Sequence, residues 1–337
     1  MLVRIILLPS TLTSIPDDRA SFYSLAIKLL QELKKTGVIL VDNEDCIKTN
    51  LAQRVRQWPV KFRKPAQVLL EELDKKNRIV KVPLNSEIQS TWGNEPCQQC
   101  IRIAKSYLPL AVLARQDCNQ CAERQLAEVA TVKVVEVDEY TINDDFCAHL
   151  ELRDRIFEQG EGKQNKFEQE ILIPLFRDAK HVKIYDRWIG RSILTKNADN
   201  YKRTLKWVLN VFVRNSRLGK TGVFEVYTGF YTQKHPRQRH LDVSVSKAVV
   251  ALRQLETDMQ QAHPKFRLIL KNETQPKQLP HHRYLITNQV AVSIDRGFDL
   301  LLGKATSLYP QRLRDVHIAY CSEPGKIEKA VVGLPDL

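Results

Sequence analysis

Two groups of residues in this 337-residue chain have the types and spacing to do chemistry. The first is Cys97-Gln-Gln-Cys100 with Cys118-Asn-Gln-Cys121, two Cys-x-x-Cys pairs separated by seventeen residues. Two thiolates so spaced on a tight turn can face one ion, and two such pairs complete a tetrahedron. The spacing predicts a structural zinc site that leaves no ligand position for water. Four unrelated thiols, or two redox pairs, are the competing readings. Cys46, Cys147 and Cys321 stand alone and read as buried or incidental thiols. The second group is His281-His282-Arg283, with Asn288 five residues on. Read as a strand, it places His281 and Arg283 on one face. A guanidinium can hold two phosphate oxygens while an imidazole attacks phosphorus or moves a proton. His281, Arg283 and Asn288 are therefore the candidate catalytic residues. The plainer alternative is a strand-end pair making structural hydrogen bonds.

Charge divides the chain. Residues 1–160 hold 22 Lys and Arg against 22 Asp and Glu, whereas residues 161–337 hold 30 against 17, the whole net charge of +13. A basic module is expected to meet something polyanionic, such as nucleic acid or an acidic membrane surface; a soluble basic surface with no dedicated partner is the plainer alternative. Between residues 202 and 240 the only acid is Glu225. Lys234, Arg237, Arg239 and His240 form the densest basic run, and its Pro and Gln predict an exposed loop able to grip a phosphate backbone. Tyr227, Phe230 and Tyr231 could stack on bases, or belong to the core. Arg187, Arg191 and Arg296 follow expected strands, where ligands of open α/β sheets gather, and with Arg283 could line one electropositive pocket. Acids after strands (Asp42, Glu44, Asp45; Asp138, Glu139, Asp144, Asp145) offer a weaker Mg²⁺ alternative.

These residues need elements to position them. A hydrophobic content of 43% with 27% charged residues is that of a folded chain, and excludes a disordered tail, a collagen-like repeat or a disulfide miniprotein. Apolar runs are too short for a membrane-spanning helix, and the first residues read as a buried strand and not a signal peptide, so a cytoplasmic protein is expected. In the first half, strands are expected at 3–8, 38–41, 79–82 and 131–138. Helices are expected at 19–36, ended by Gly37, and at 65–73, opened by Pro65. The polar stretch 159–166 reads as a linker, giving a neutral α/β domain over 1–158 and a basic domain over 167–330. In the second, helices at 167–176, 201–214 and 243–261 alternate with strands at 181–185, 223–227 and 266–270. A last strand pair at 282–287 and 290–294 follows. Such alternation predicts an α/β fold with a largely parallel sheet.

The His281-x-Arg283-x4-Asn288 frame resembles the His-x-Lys-x4-Asp motif of the phospholipase D superfamily. Closer still is the phospholipase-D-like C-terminal domain of MIT-domain proteins. That domain carries a His-Asp-Arg strand followed by a Gly-Arg-Gly-Leu-Asp-like segment. Here His281-His282-Arg283 is followed by Asp295-Arg296-Gly297-Phe298-Asp299, and Val182–Tyr185 with Asp186-Arg187-Trp188-Ile189 resembles the domain's early segment. The likeness covers roughly residues 165–320. It implies a phospholipase-D-like α/β/α sandwich with one motif copy, a homodimer in active members, a metal-independent phosphohistidine mechanism, and phosphoinositide membrane binding in the MIT-associated branch. Arg for Lys keeps the phosphate contact. Asn for Asp loses the carboxylate that would orient the histidine. The combined expectation is a phosphodiester- and nucleic-acid-binding protein with a degenerate site, in a setting such as defence against mobile elements. A homodimeric nuclease and a membrane-binding module are the alternatives.

Overall fold

The computed structural model describes residues 2–14, 20–84, 95–115, 132–140, 142–158, 163–195, 198–231, 245–273, 278–295, 315–321 and 323–337. The chain forms two compact units, Met1–Glu151 and Leu152–Leu337. Both are α/β. None of the described helices is long and apolar enough to cross a membrane.

In the first unit, β1 (Val3–Leu7) is nearly all branched aliphatic residues, and its neighbour β2 (Gly37–Asp42) is buried along its whole length. Strands covered on both faces carry such unbroken apolar runs. β3 (Ile79–Val82), β4 (Ala111–Ala114) and β5 (Val134–Glu136) complete a wholly parallel sheet in the order β3-β2-β1-β4-β5. The strand order reverses between β1 and β4, the arrangement of a doubly wound sheet. Helix α1 (Ala20–Thr36) buries Ala26, Leu29, Leu30 and Leu33 of the stripe its spacing predicts; Tyr23 joins them, while Phe22 and Leu25 of that stripe are half-buried. Gly37 follows its last residue, and only glycine fits there: a Cβ would lie 2.6 Å from a Leu33 methyl. Five elements go beyond the sequence reading: α2 (Cys46–Arg56), α4 (Pro96–Tyr107), β4, the 3-10 turn Pro9–Leu12 and the helix Asp144–Glu151. Helix α3 (Val60–Lys75) starts before Pro65 and contains it. Asp42 has a structural role. Its two carboxylate oxygens accept from the Cys46 and Ile47 amides at 2.8 and 2.7 Å and cap α2.

The second unit carries a seven-stranded sheet in the order β6-β12-β11-β10-β7-β8-β9. Its strands are β6 (Asp154–Phe157), β7 (His181–Tyr185), β8 (Val223–Tyr231), β9 (Phe266–Glu273), β10 (Arg283–Thr287), β11 (Ala291–Ile294) and β12 (Val316–Tyr320). β6 pairs with β12, so it belongs to this unit, although the polar stretch 159–166 predicts a first domain ending at residue 158. Only β7, β8 and β9 run parallel; the other four pairings are antiparallel. The sheet is thus mixed and not largely parallel. β10 and β11 form the expected hairpin, but β12 follows it.

Alternation along β7 and β8 sends Val182, Ile184, Phe224 and Val226 to one face, and Lys183, Tyr185, Glu225 and Tyr227 to the other. On the first face Phe224 packs against Phe176, Phe212 and Phe266. Phe212 comes from the long helix Ala198–Asn215. On the second, Tyr185 and Tyr227 stack at 4.7 Å and pack with Leu279, Ile286, Val331 and Leu334 under the helix Pro324–Val332. Helices therefore cover both faces. The tail after that helix closes the β9 edge: the Asn272 amide donates to Pro335 O at 2.8 Å and the Leu337 amide to Leu270 O at 2.9 Å.

Gly229 in β8 admits the neighbouring chain. A Cβ there would lie 2.2 Å from Lys271 O and 2.8 Å from Leu279 Cδ1. Gly229→Ala is expected to cost roughly 3 kcal/mol by overpacking. Calorimetry would show this as a melting transition of the second unit several degrees lower, with that of the first unchanged.

Candidate anion-binding site

The carboxyl ends of β7 and β8 lie beside the amino end of β10, because β10 runs antiparallel to β7 with Tyr284 opposite Tyr185. The chain leaves β7 through Asp186 into a short helix, Arg187–Ser192. Asp186 Oδ1 accepts from the Trp188 amide at 2.9 Å and fixes that turn. The helix is drawn onto β8 by Gly190, whose amide donates to Thr228 Oγ1 at 2.8 Å; a Cβ on Gly190 would stand 3.1 Å from Gly229 O. This close approach brings Arg187 and Arg191 to the sheet end.

Three guanidiniums converge there. Arg191 donates to Glu273 Oε2 at 2.5 Å, and Glu273, at the end of β9, is fully buried. The other Glu273 oxygen accepts from the Leu279 amide at 2.9 Å. Arg283, the first residue of β10, donates from Nη1 to Asp295 O at 3.2 Å and places Nε 3.7 Å from Asp186 Oδ1. Arg187 is 6% exposed, and its Nε and Nη1 have no hydrogen-bond partner. Burial, and after it the charge of Arg191, pushes the Arg187 guanidinium below its ordinary pKa; Arg283 adds to this and Glu273 and Asp186 oppose it. The Arg187 and Arg191 guanidiniums lie 5.3 and 5.6 Å from the Trp188 ring centre. The Trp188 indole N–H is buried and also lacks a partner. Unpartnered donors thus collect around one buried cation, the chemistry of a site for an acceptor-rich anion.

Of the residues singled out in the sequence, Arg187, Arg191 and Arg283 are brought together. His281 is not aligned with them by a strand: β10 starts at Arg283, and His281 and His282 precede it as exposed residues with their rings edge to face at 5.9 Å. The alternation argument that pairs His281 with Arg283 therefore does not apply. Asn288 lies beyond the opposite end of β10. Five strand residues separate it from the site, roughly 17 Å of extended chain. Its Oδ1 accepts from the Lys180 and His181 amides at 2.8 and 3.3 Å, so it secures the start of β7 and does not orient His281. Tyr227 and Phe230 are core residues, and the Tyr227 hydroxyl donates to Glu225 at 3.0 Å. Lys234, Arg237, Arg239, His240 and Arg296 lie outside the described residues.

Cys97 and Cys100 occupy the first turn and a half of α4 and not an irregular knuckle. Three residues apart on a helix, they share one side of it. Cys97 is half-buried and Cys100 fully buried, with its thiol directed to Leu7 O at 3.6 Å. Cys118 and Cys121 lie outside the described residues, among which no group of metal-ligating side chains is assembled. Sequence reasoning missed Asp186 and Glu273. Asp186 carried a signal, an Asp at the junction of an apolar strand and the next element. Glu273 carried none, since its burial depends on the sheet order.

Asn288→Ala is expected to lower stability by about 1–2 kcal/mol, through two amides left without their acceptor. Urea unfolding would measure it. A loss of function at full stability would instead return Asn288 to the active machinery. Comparison with known proteins finds no matching family model, no matching curated protein and no matching solved structure.

Proposed function

We propose that the second unit binds the phosphodiester backbone of nucleic acid at the cluster of Arg187, Arg191 and Arg283, without cutting it. The observation that carries this reading is the buried Arg187 guanidinium with Nε and Nη1 unpartnered and two more guanidiniums beside it. Desolvating a cation costs several kcal/mol unless an anion compensates it. A phosphate supplies both the charge and the acceptors. The excess of 30 basic over 17 acidic residues in residues 161–337 would draw a polyanion to this half. Binding without cleavage is favoured because His281 precedes β10 and Asn288 is engaged at its far end.

Fluorescence anisotropy with labelled single- and double-stranded oligonucleotides tests it. Arg187→Met is expected to weaken binding ~10-fold or more and to lower the salt slope by about one. Unchanged affinity in that variant would overturn the assignment. The same oligonucleotides should remain intact on a denaturing gel in EDTA. Metal-free cleavage abolished by His281→Ala would establish a phospholipase-D-type nuclease in its place.

For the first unit we propose a structural zinc site on Cys97, Cys100, Cys118 and Cys121. The spacing of the four thiols supports it, as does the placement of the first pair on one side of α4. Bound zinc would tie the start of α4 to the Cys118–Cys121 segment and hold both without a water ligand. Elemental analysis of the purified chain is expected to give about one zinc per molecule, lost in Cys118→Ser with a lower melting temperature. A metal-free wild-type protein purified without chelator would remove the proposal.

A further inference from the structure

β9 is the outer strand of the second sheet, and its edge is covered in two different ways. Over its first half the cover is side chains of the helix Val245–Ala262. Gln260 Nε2 donates to Phe266 O at 3.1 Å, Glu256 Oε1 accepts from the Leu268 amide at 2.7 Å, and Arg253 Nη1 donates to Leu268 O at 3.0 Å. Over its second half the cover is the tail after the helix Pro324–Val332, paired by backbone at Leu270 and Asn272. The first helix is held down by Ala248, Leu252, Leu255 and Met259, whereas the last helix buries Val331 alone. The Tyr185 hydroxyl beneath it is buried without a hydrogen-bond partner, which opposes docking. Two lysines of the sheet supply much of the grip. Lys183 Nζ donates to Glu328 at 2.6 Å; buried Lys271 donates to Leu334 O at 3.0 Å and pairs with Asp336 at 2.7 Å. Residues 324–337 are thus the weaker cover, able to lift while β9 stays paired with β8.

What this segment touches adjoins the anion site. Tyr185 directly precedes Asp186 and Arg187. Asn272, whose amide the tail accepts from, directly precedes Glu273. Leu279, whose amide donates to Glu273, and Tyr284, next to Arg283, belong to the same cluster as Val331 and Leu334. We propose that residues 324–337 are a strap that switches the anion site. Docked, it holds the ends of β7 and β9 and the start of β10 in the arrangement that binds; lifted, it frees them and affinity falls. This rests on the phosphate-binding reading above. Linkage makes the effect reciprocal: bound anion must hold the strap down by the same factor by which the docked strap raises affinity. A strap that merely covered a sheet edge would not respond to the anion, because a ligand with equal affinity for two states shifts neither. Capture of residues 324–337 by another molecule would release the anion.

The test is hydrogen exchange read by mass spectrometry on the full-length protein, with and without a saturating single-stranded oligonucleotide. Peptides covering residues 324–337 are expected to exchange on the order of 10-fold more slowly when the oligonucleotide is bound, with the helix Val245–Ala262 as the unresponsive reference. Lys271→Met removes the buried ammonium and keeps its apolar bulk. It is expected to speed exchange of residues 324–337 and to weaken oligonucleotide binding by a similar factor. Strap exchange indifferent to bound oligonucleotide, or slowed no more than that of the reference helix, overturns the inference while leaving the anion site standing. A Lys271→Met protein with a faster-exchanging strap and wild-type affinity overturns it equally. If oligonucleotide binding is indifferent to Arg187→Met, the site reading itself fails, and the switch with it. The wild-type exchange comparison is decisive even if Lys271→Met does not fold.

Discussion

A guanidinium withdrawn from water with two of its nitrogens lacking a hydrogen-bond partner is the constraint around which the second unit is arranged. Arg187 is nine-tenths buried, and nothing in the helix that carries it requires this. What holds it there is backbone proximity. Gly190 and Gly229 let the short helix lie on β8 and let β8 lie on the chain before β10. Glu273 then fixes Arg191 and the Leu279 amide together, so that β9, the helix and the approach to β10 share one carboxylate. Remove the glycines and the cation returns to water. Remove Glu273 and the half-buried Arg191 guanidinium loses its carboxylate and the Leu279 amide its acceptor.

The two units solve the same burial problem with different sheets. The first is parallel throughout and reverses its strand order between β1 and β4, leaving a crevice position at the end of β1. That position is filled from within: Pro9, Ser10, Thr11 and Leu12 form a buried 3-10 turn, and Thr11 Oγ1 donates to Leu113 O at 2.9 Å. The second sheet turns antiparallel after β7, which brings the amino end of β10 to the carboxyl ends of β7 and β8. A parallel strand in that position would have presented its carboxyl end there, and Arg283 would lie at the opposite edge.

Much of this was legible in the residues. β1, α1, β7 and the long helix Ala198–Asn215 carry apolar patterns that admit one reading. Arg187 and Arg191 stand out because they follow an apolar strand. Helix α4 is obscured because Cys97 and Cys100 invite a metal-centred reading of a segment that buries Ile101 and Ile103. His281 misleads: a periodicity of two is informative only inside a strand, and β10 starts two residues later. The carboxylates of the site could not be paired with their arginines from sequence, because Glu273 and Arg191 are 82 residues apart and meet only through the order of the strands.

That distance bears on when the site comes into being. Its parts come from the Asp186–Arg191 turn, the end of β9 and the start of β10, so no local stretch of chain contains it. Contacts of such long sequence separation form late, after the loops between them have closed. A nascent or partly unfolded chain has scattered arginines but no pocket, and a phosphate ligand would bind the finished sheet alone. By mass action, a polyanion bound as proposed would favour complete assembly of β7, β8, β9 and β10 and so act as a folding ligand for this unit.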